Sequence, residues 1–243
     1  MLDNHHAVSN EQFDDELLSS DVDFRAANKG ASQEGIIQPS TLFMIRPADR
    51  LRMLIEHRFE LGLDPVFTTQ DLKPWFQDMS ETAMRVMVNR QCAKGEAVLS
   101  VCHGVYRVAH LNWTSAQILV AAAKKLRNPS GLYLTMHSAI APGSHDEEQP
   151  FLVCMTAGRD VVLKSEQHGV IALKHTELPI NEQKHALDWD ARLGCWRADY
   201  ELALSDYQRH HAGLKSILRY AKVSVQLPHL TREANRWPNC PGH

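Results

Sequence analysis

Residues 66–108 read VFTTQDLKPWFQDMSETAMRVMVNRQCAKGEAVLSVCHGVYRV, and the order of patterns inside this stretch decides the fold. VFTTQDLKPWF has the makings of a short helix, SETAMRVMVNRQCAKG those of a longer basic helix, and EAVLSVCHGVYRV those of a two-stranded ribbon. Thr69 and Ser80 each put a hydroxyl just ahead of a helix-compatible run whose first amides lack partners, so each is expected to cap the helix it precedes. Along the longer helix Met84, Met87, Val88 and Cys92 recur at spacings of three and four and form one apolar stripe. The opposite face carries Thr82, Arg85, Asn89 and Arg90, and Gly95 stops the helix. Val98, Leu99 and Val101 then lead across Cys102-His103-Gly104 into Val105-Tyr106-Arg107-Val108, which reads as a hairpin.

Upstream, Pro47 suits a first helical position, and Leu51, Leu54, Ile55 and Phe59 line one face of a helix that Gly62 ends. Three helices followed by a hairpin predict an N-terminal winged helix-turn-helix over residues 41–110, whose longer helix enters the major groove of duplex DNA. Arg85 suits guanine and Asn89 adenine, with Thr82 beside them. Arg90, Lys94, His103 and Arg107 would hold phosphates, and Thr69, Gln70 and Ser80 at the two helix starts complete the candidate DNA-binding set. The competing reading keeps the same helices for dimerisation or core and leaves Arg85 and Arg90 merely solvated.

The whole chain has 243 residues, enough for two modest domains plus tails. A hydrophobic content of 44% and a charged content of 23% are ordinary for a globular protein. The net charge of −3 is unevenly spread: residues 1–40 hold eight acids and two bases, leaving +3 for the rest. Such a leader reads as mobile and solvated, or as a competitor for a basic face. Five cysteines with no CxxC pair argue for reduced thiols, and against a disulfide framework or a structural zinc site. No run of 18 apolar residues and no basic-then-apolar leader occurs, so the expectation is a cytoplasmic protein without a membrane partner.

Beyond His110, the Ala- and Leu-rich run from Ser115 to Leu126 predicts a helix that Asn128-Pro-Ser-Gly131 breaks. Short β-rich runs separated by Gly or polar turns then predict a small mixed sheet, with a helical turn near Thr135 to Ile140. From about Asn181 the pattern reads as helical, with Tyr200, Leu204 and Tyr207 on one face, and residues 226–243 read as an irregular tail. The fold class expected is therefore α+β: an acidic leader (1–40), a winged domain (41–110), a mixed α/β C-terminal domain (111–225) and the tail.

In this order the segments resemble the AbiEi-type antitoxins, transcriptional regulators of type IV toxin-antitoxin systems. Gly104-Val105-Tyr106 resembles the hairpin element of that family. Gly131 to Leu134 followed by Ser138-Ala139 resembles its Gly-x-Tyr-Leu-Ser and Ser-Ala segment, with Thr135 in place of the commoner Ser. Ala198, Glu201, Ala203, Leu204 and Asp206 mirror a later helical motif, and Gln91 departs from the Leu usual near the end of the winged helix. The likeness spans roughly residues 46–220. It implies a repressor that binds inverted repeats in its own promoter, and a second domain serving antitoxicity or subunit contacts. It also implies functional pairing with a nucleotidyltransferase-like toxin without a stable complex. A single winged unit buries limited surface, so useful specificity calls for two copies, as a homodimer or as monomers on adjacent repeats.

Other chemistries find weaker patterns. The 14 histidines include His5-His6 and His210-His211, but no HxxxH spacing, so no metal or cofactor is expected. Asp160 with Glu182-Gln-Lys184 supplies the letters of a metal-dependent nuclease, yet Pro179-Ile-Asn puts the Glu-x-Lys in a turn or helix start rather than on a facing strand. Phosphate-loop and serine-elbow patterns are absent, and Glu201 with Asp206 reads as a capping or helix-packing pair. The expectation is a non-enzyme; a stand-alone regulator of a mobile element and a protein-interaction module remain as alternatives.

Overall fold

A computed structural model describes residues 45–127, 131–141, 145–177 and 180–222. The acidic leader, the breaker at 128–130 and the tail at 226–243 lie outside the described residues. What is described is mixed α+β, with one three-stranded and one six-stranded sheet.

The first helix, α1 (Pro47–Glu56), starts on its proline as expected but ends earlier. His57 caps it, and bonds from Leu61 N to the His57 carbonyl and from Leu63 N to the Arg58 carbonyl turn the chain. That turn sends Leu63 into the core, while Phe59 is 80% exposed beneath the Arg58 guanidinium. Phe59 therefore does not belong to the apolar face. Arg50, 1% exposed, forks onto Asp78 at 2.6 and 3.1 Å and lies over the Phe76 ring, tying α1 to the turn before the next long helix. Its guanidinium holds the Asp78 carboxyl below the ordinary carboxylate range.

Val66 and Phe67, grouped in the sequence with the short helix that follows them, form a strand instead. They form β1 (Val66–Thr68), antiparallel to the second strand of the hairpin β2 (Val98–Cys102) and β3 (Val105–Val108), so the small sheet has three strands in the order β1-β3-β2. Both side chains are buried, Phe67 toward the α1 core and Val66 toward the opposite face. A β-branched and an aromatic residue at a pleated, doubly buried position favour strand over helix. The cap of α2 (Thr69–Leu72) consequently moves one residue back. Thr68, not Thr69, closes a capping box, its N–H and hydroxyl both donating to Asp71 Oδ2 at 2.7 and 2.9 Å. A 3₁₀ turn at Lys73–Trp75 leads to α3 (Glu81–Lys94). Ser80 caps α3 by accepting from Ala83 N, and Gly95 ends it at φ 70°, a left-handed value that glycine adopts without strain.

α4 (Ser115–Leu126) is closed at its start by a Thr114–Gln117 capping box. It is apolar on two faces. Ile118 and Ala122 pack with Val66, Val101 and Val105 of the small sheet. Ala116, Leu119, Val120 and Ala123 pack on the large one. That sheet runs β6 (Val161–Ser165), β7 (Gly169–His175), β5 (Phe151–Thr156), β4 (Leu132–Leu134), β9 (Cys195–Ala198) and β8 (Leu187–Asp190) in spatial order. Its pairings mix parallel (β5 with β7, β4 with β9) and antiparallel. Leu152, Cys154, Ile171 and Leu173 face α4, and the alternate residues Val153, Met155 and Ala172 face the other side. There they meet α5 (His137–Ile140), α6 (Ile180–Gln183) and α7 (Tyr200–Tyr220). Helices on both faces explain the unbroken apolar runs FLVCMT and VIAL.

The helical pattern expected from Asn181 onward is interrupted. After α6 the chain forms a 3₁₀ turn at Lys184–Ala186 and then the β8–β9 hairpin, and α7 starts only at Tyr200. Leu187, Cys195 and Ala198 bury themselves in the sheet, and Gly194 takes φ 62° at the turn. Asp199 is the cap of α7, so Glu201 is an exposed first-turn acid rather than a cap.

Candidate nucleic-acid interface

The stripe of α3 packs inward. Met84 and Val88 are at most 1% exposed, Met87 is buried, and Cys92 lies half-buried against the same core. Thr82, Arg85, Asn89, Arg90 and Lys94 are consequently exposed, together with Val86, an apolar side chain 44% exposed in the middle of this polar face. Val86 lies four residues after Thr82 and three before Asn89, a spacing the sequence shows, but its hydrophobicity assigns it to a core. On an exposed helix face beside Asn and Arg it has the chemistry to meet a thymine methyl.

Arg85 and Asn89 line one concavity of about 340 Å³ with Thr69, His103, Tyr106 and Leu126. The structure thus brings four of the candidate contacts together between α3 and the hairpin tip. Tyr106, 3% exposed, donates its hydroxyl to Asn89 Oδ1 at 3.0 Å, which orients the amide and leaves its NH₂ free to donate outward. Burial raises the Tyr106 phenol above its ordinary value, keeping it a donor. Arg85 Nη2 rests on Glu81 Oε1 at 3.2 Å, one turn earlier on the same helix. Any anion approaching Arg85 competes with that carboxylate. Arg90 and Lys94 have no ion-pair partner among the described residues, and His103 is exposed at the hairpin tip. Gln70 and Ser80 are exposed at their helix starts, whereas Thr69 is buried.

Arg107 is placed differently. Its Nε donates to His168 Nε2 at 3.0 Å and its Nη1 to the Val108 and Ala109 carbonyls, so its guanidinium bridges the hairpin to the turn after β6. Because arginine only donates, His168 Nε2 is the acceptor and Nδ1 carries the proton toward Ser115 Oγ, 3.3 Å away. Burial and then the Arg107 charge hold His168 below its ordinary value.

A second polar cluster joins the later segments. Asp206 on α7, 3% exposed, accepts from Thr135 Oγ1 at 2.6 Å and from the Tyr133 hydroxyl at 3.1 Å. Ser138 Oγ accepts from Val153 N nearby, and Met136 between them is fully buried at φ 53°. A non-glycine residue in that region costs on the order of 1–3 kcal/mol and is held by its surroundings. The Gly131–Ala139 segment and the Ala198–Asp206 segment therefore meet in space. Burial raises the Asp206 carboxyl above its ordinary range.

Compared with protein-family models, curated proteins and solved structures, the chain matches none.

The remaining candidates fall on separate elements. Asp160 is held by Lys174 Nζ and by His175 N at 2.7 Å, Glu182 lies in α6, and Lys184 opens the following 3₁₀ turn. His210 and His211 lie on α7, and no group of three or more metal-ligating side chains occurs among the described residues. No helix among the described residues is long and apolar enough to cross a membrane.

Proposed function

We propose that the chain is a sequence-reading, double-stranded DNA-binding repressor in which α1, α2, α3 and the β2–β3 hairpin act as a winged helix-turn-helix. The observation that carries this reading is the outward face of α3: Thr82, Arg85, Val86, Asn89 and Arg90 on one exposed surface, with Arg85 and Asn89 opening into a concavity bounded by the hairpin tip. Arg85 and Asn89 read base edges, while Arg90, Lys94 and His103 hold phosphates. Asn89 reads with its amide already oriented by Tyr106, so less side-chain freedom is lost on binding. The operon-autoregulating antitoxin role of the AbiEi type, opposite a nucleotidyltransferase-like toxin, rests on the order of the resembling segments and on the contact between two of them at Asp206.

Gel shifts on the chain's own promoter region test the first part. Arg85→Ala relaxes discrimination at one base position, costing on the order of 1–3 kcal/mol, while Lys94→Ala weakens all sequences alike. Arg85→Ala binding as tightly and as selectively as the parent overturns the base-reading assignment. Co-expression with a nucleotidyltransferase-like toxin of the AbiE type tests the second part: protection without a co-purifying complex supports it, and a stable complex or no protection overturns it.

A further inference from the structure

A second concavity, about 490 Å³ and open to solvent, lies where the β5–β6 loop, the end of β7 and α7 meet. Arg159, Lys174, His175 and His210 line it, with Asp160 as the acid among them. Asp160 is spoken for by the Lys174 ammonium and the His175 N–H, so its charge is already neutralised. Arg159 is exposed, and His175 donates from Nδ1 to the Gly158 carbonyl at 3.1 Å. Arg209 and Lys174 are both close enough to act electrostatically on His210.

The residue that follows α4 links this notch to the α3 concavity. Leu126 lines the α3 concavity, and the next residue, Arg127, donates to the Arg159 carbonyl at 2.9 Å. Arg127 also lies flat on Gly158, where an added Cβ would come within 3.0 Å of its Nε. The α3 concavity and the notch are therefore linked through Leu126 and Arg127, with the exposed Arg159 on the notch side. We propose that the Arg159–His175 notch is a phosphate-binding site for the backbone of the same duplex whose bases α3 reads. This rests on the DNA-binding reading and deepens it: the C-terminal module becomes part of the footprint. A phosphodiester fits the notch because it brings one diffuse negative charge to the exposed Arg159 guanidinium, beside the Lys174 ammonium, and needs no base-specific contact.

The test is fluorescence anisotropy of the full chain with duplex DNA of random sequence across a salt series, using Arg159→Ala, His175→Ala and Arg192→Ala as a control distant from the notch. Thermal denaturation confirms that each variant folds. Each lost phosphate contact lowers the slope of log K against log salt by about 0.9. Arg159→Ala is expected to show one such loss at unchanged sequence preference, while His175→Ala, which removes a hydrogen-bond acceptor, and Arg192→Ala keep the parent slope. If Arg85→Ala impairs binding but Arg159→Ala keeps parent affinity and slope, the notch proposal falls and the α3 reading stands. An Arg192→Ala loss equal to that of Arg159→Ala reduces the effect to net charge and overturns the site. A parent chain that binds no duplex removes both proposals.

Discussion

Replacing Asp206 with alanine tests the buried junction between β4 and α7. Tyr133 and Thr135 are 0% exposed and both donate to one carboxylate oxygen, so the alanine variant strands two hydroxyls where water does not reach. Each buried donor without a partner costs about 1–3 kcal/mol. Removing a desolvated carboxylate returns part of that cost, which leaves a net loss of about 2–4 kcal/mol. At roughly 2–4 °C per kcal/mol for a body of this size, the melting temperature should drop by about 5–15 °C. The pH dependence gives an independent check. Burial raises the folded-state carboxyl above its ordinary 3.8, so the folded chain binds this proton more tightly than the unfolded chain. Its contribution to stability is complete below that value, falls as pH rises through the folded value, and is flat beyond. Asp206→Asn keeps an oxygen for both hydroxyls but does not titrate, and should erase that fall. Urea denaturation followed by circular dichroism across the acid and neutral range measures both effects. An alanine variant within about 0.5 kcal/mol of the parent, or an asparagine variant with the parent's pH profile, refutes the reasoning.

Two further outcomes follow from the geometry. Ile118→Ala empties space only on the small-sheet side of α4 and should cost about 2–5 kcal/mol; because the helix also serves the large sheet, unfolding should stay a single transition, and two separated transitions in a thermal scan would show independent modules. His168 is depressed below its ordinary 6.5, so the Arg107 bridge contributes fully above that pH and is lost as pH falls through the lower folded value. Amide protection factors at Val108 and Ala109, corrected for intrinsic exchange, should fall on acidification in the parent more than in His168→Gln, and equal responses would show that the imidazole does not latch the hairpin.

Periodicity carried the long helices well. The α3 stripe, its Ser80 cap and Gly95 stop, and the limits of α4 could all be read from spacing and capping residues, because each is set by neighbours within one or two turns. Elements fixed by distant partners were less legible. Val66-Phe67 becomes a strand only because β3 lies alongside, and Leu187 to Ala198 becomes a hairpin only because β4 offers β9 an edge. A three- or four-residue strand has too few alternations to announce itself. At the candidate site, Arg85 and Asn89 were readable as outward residues from the apolar stripe opposite them. Tyr106 as the group that sets the Asn89 amide was not, since the two are 17 positions apart. Arg107 looked like a phosphate contact by type, and only the fold reveals its neighbour His168, 61 positions away.

A helix with two apolar sides has no solvent face wide enough to let either sheet slide. The modules flanking α4 are thus not beads on a string, and a recombination that exchanged one of them would have to bring a matching α4 side with it. A load applied at the six-stranded end, whether by a second protomer or by another protein, would be transmitted to the hairpin through a rigid axle rather than absorbed by a hinge.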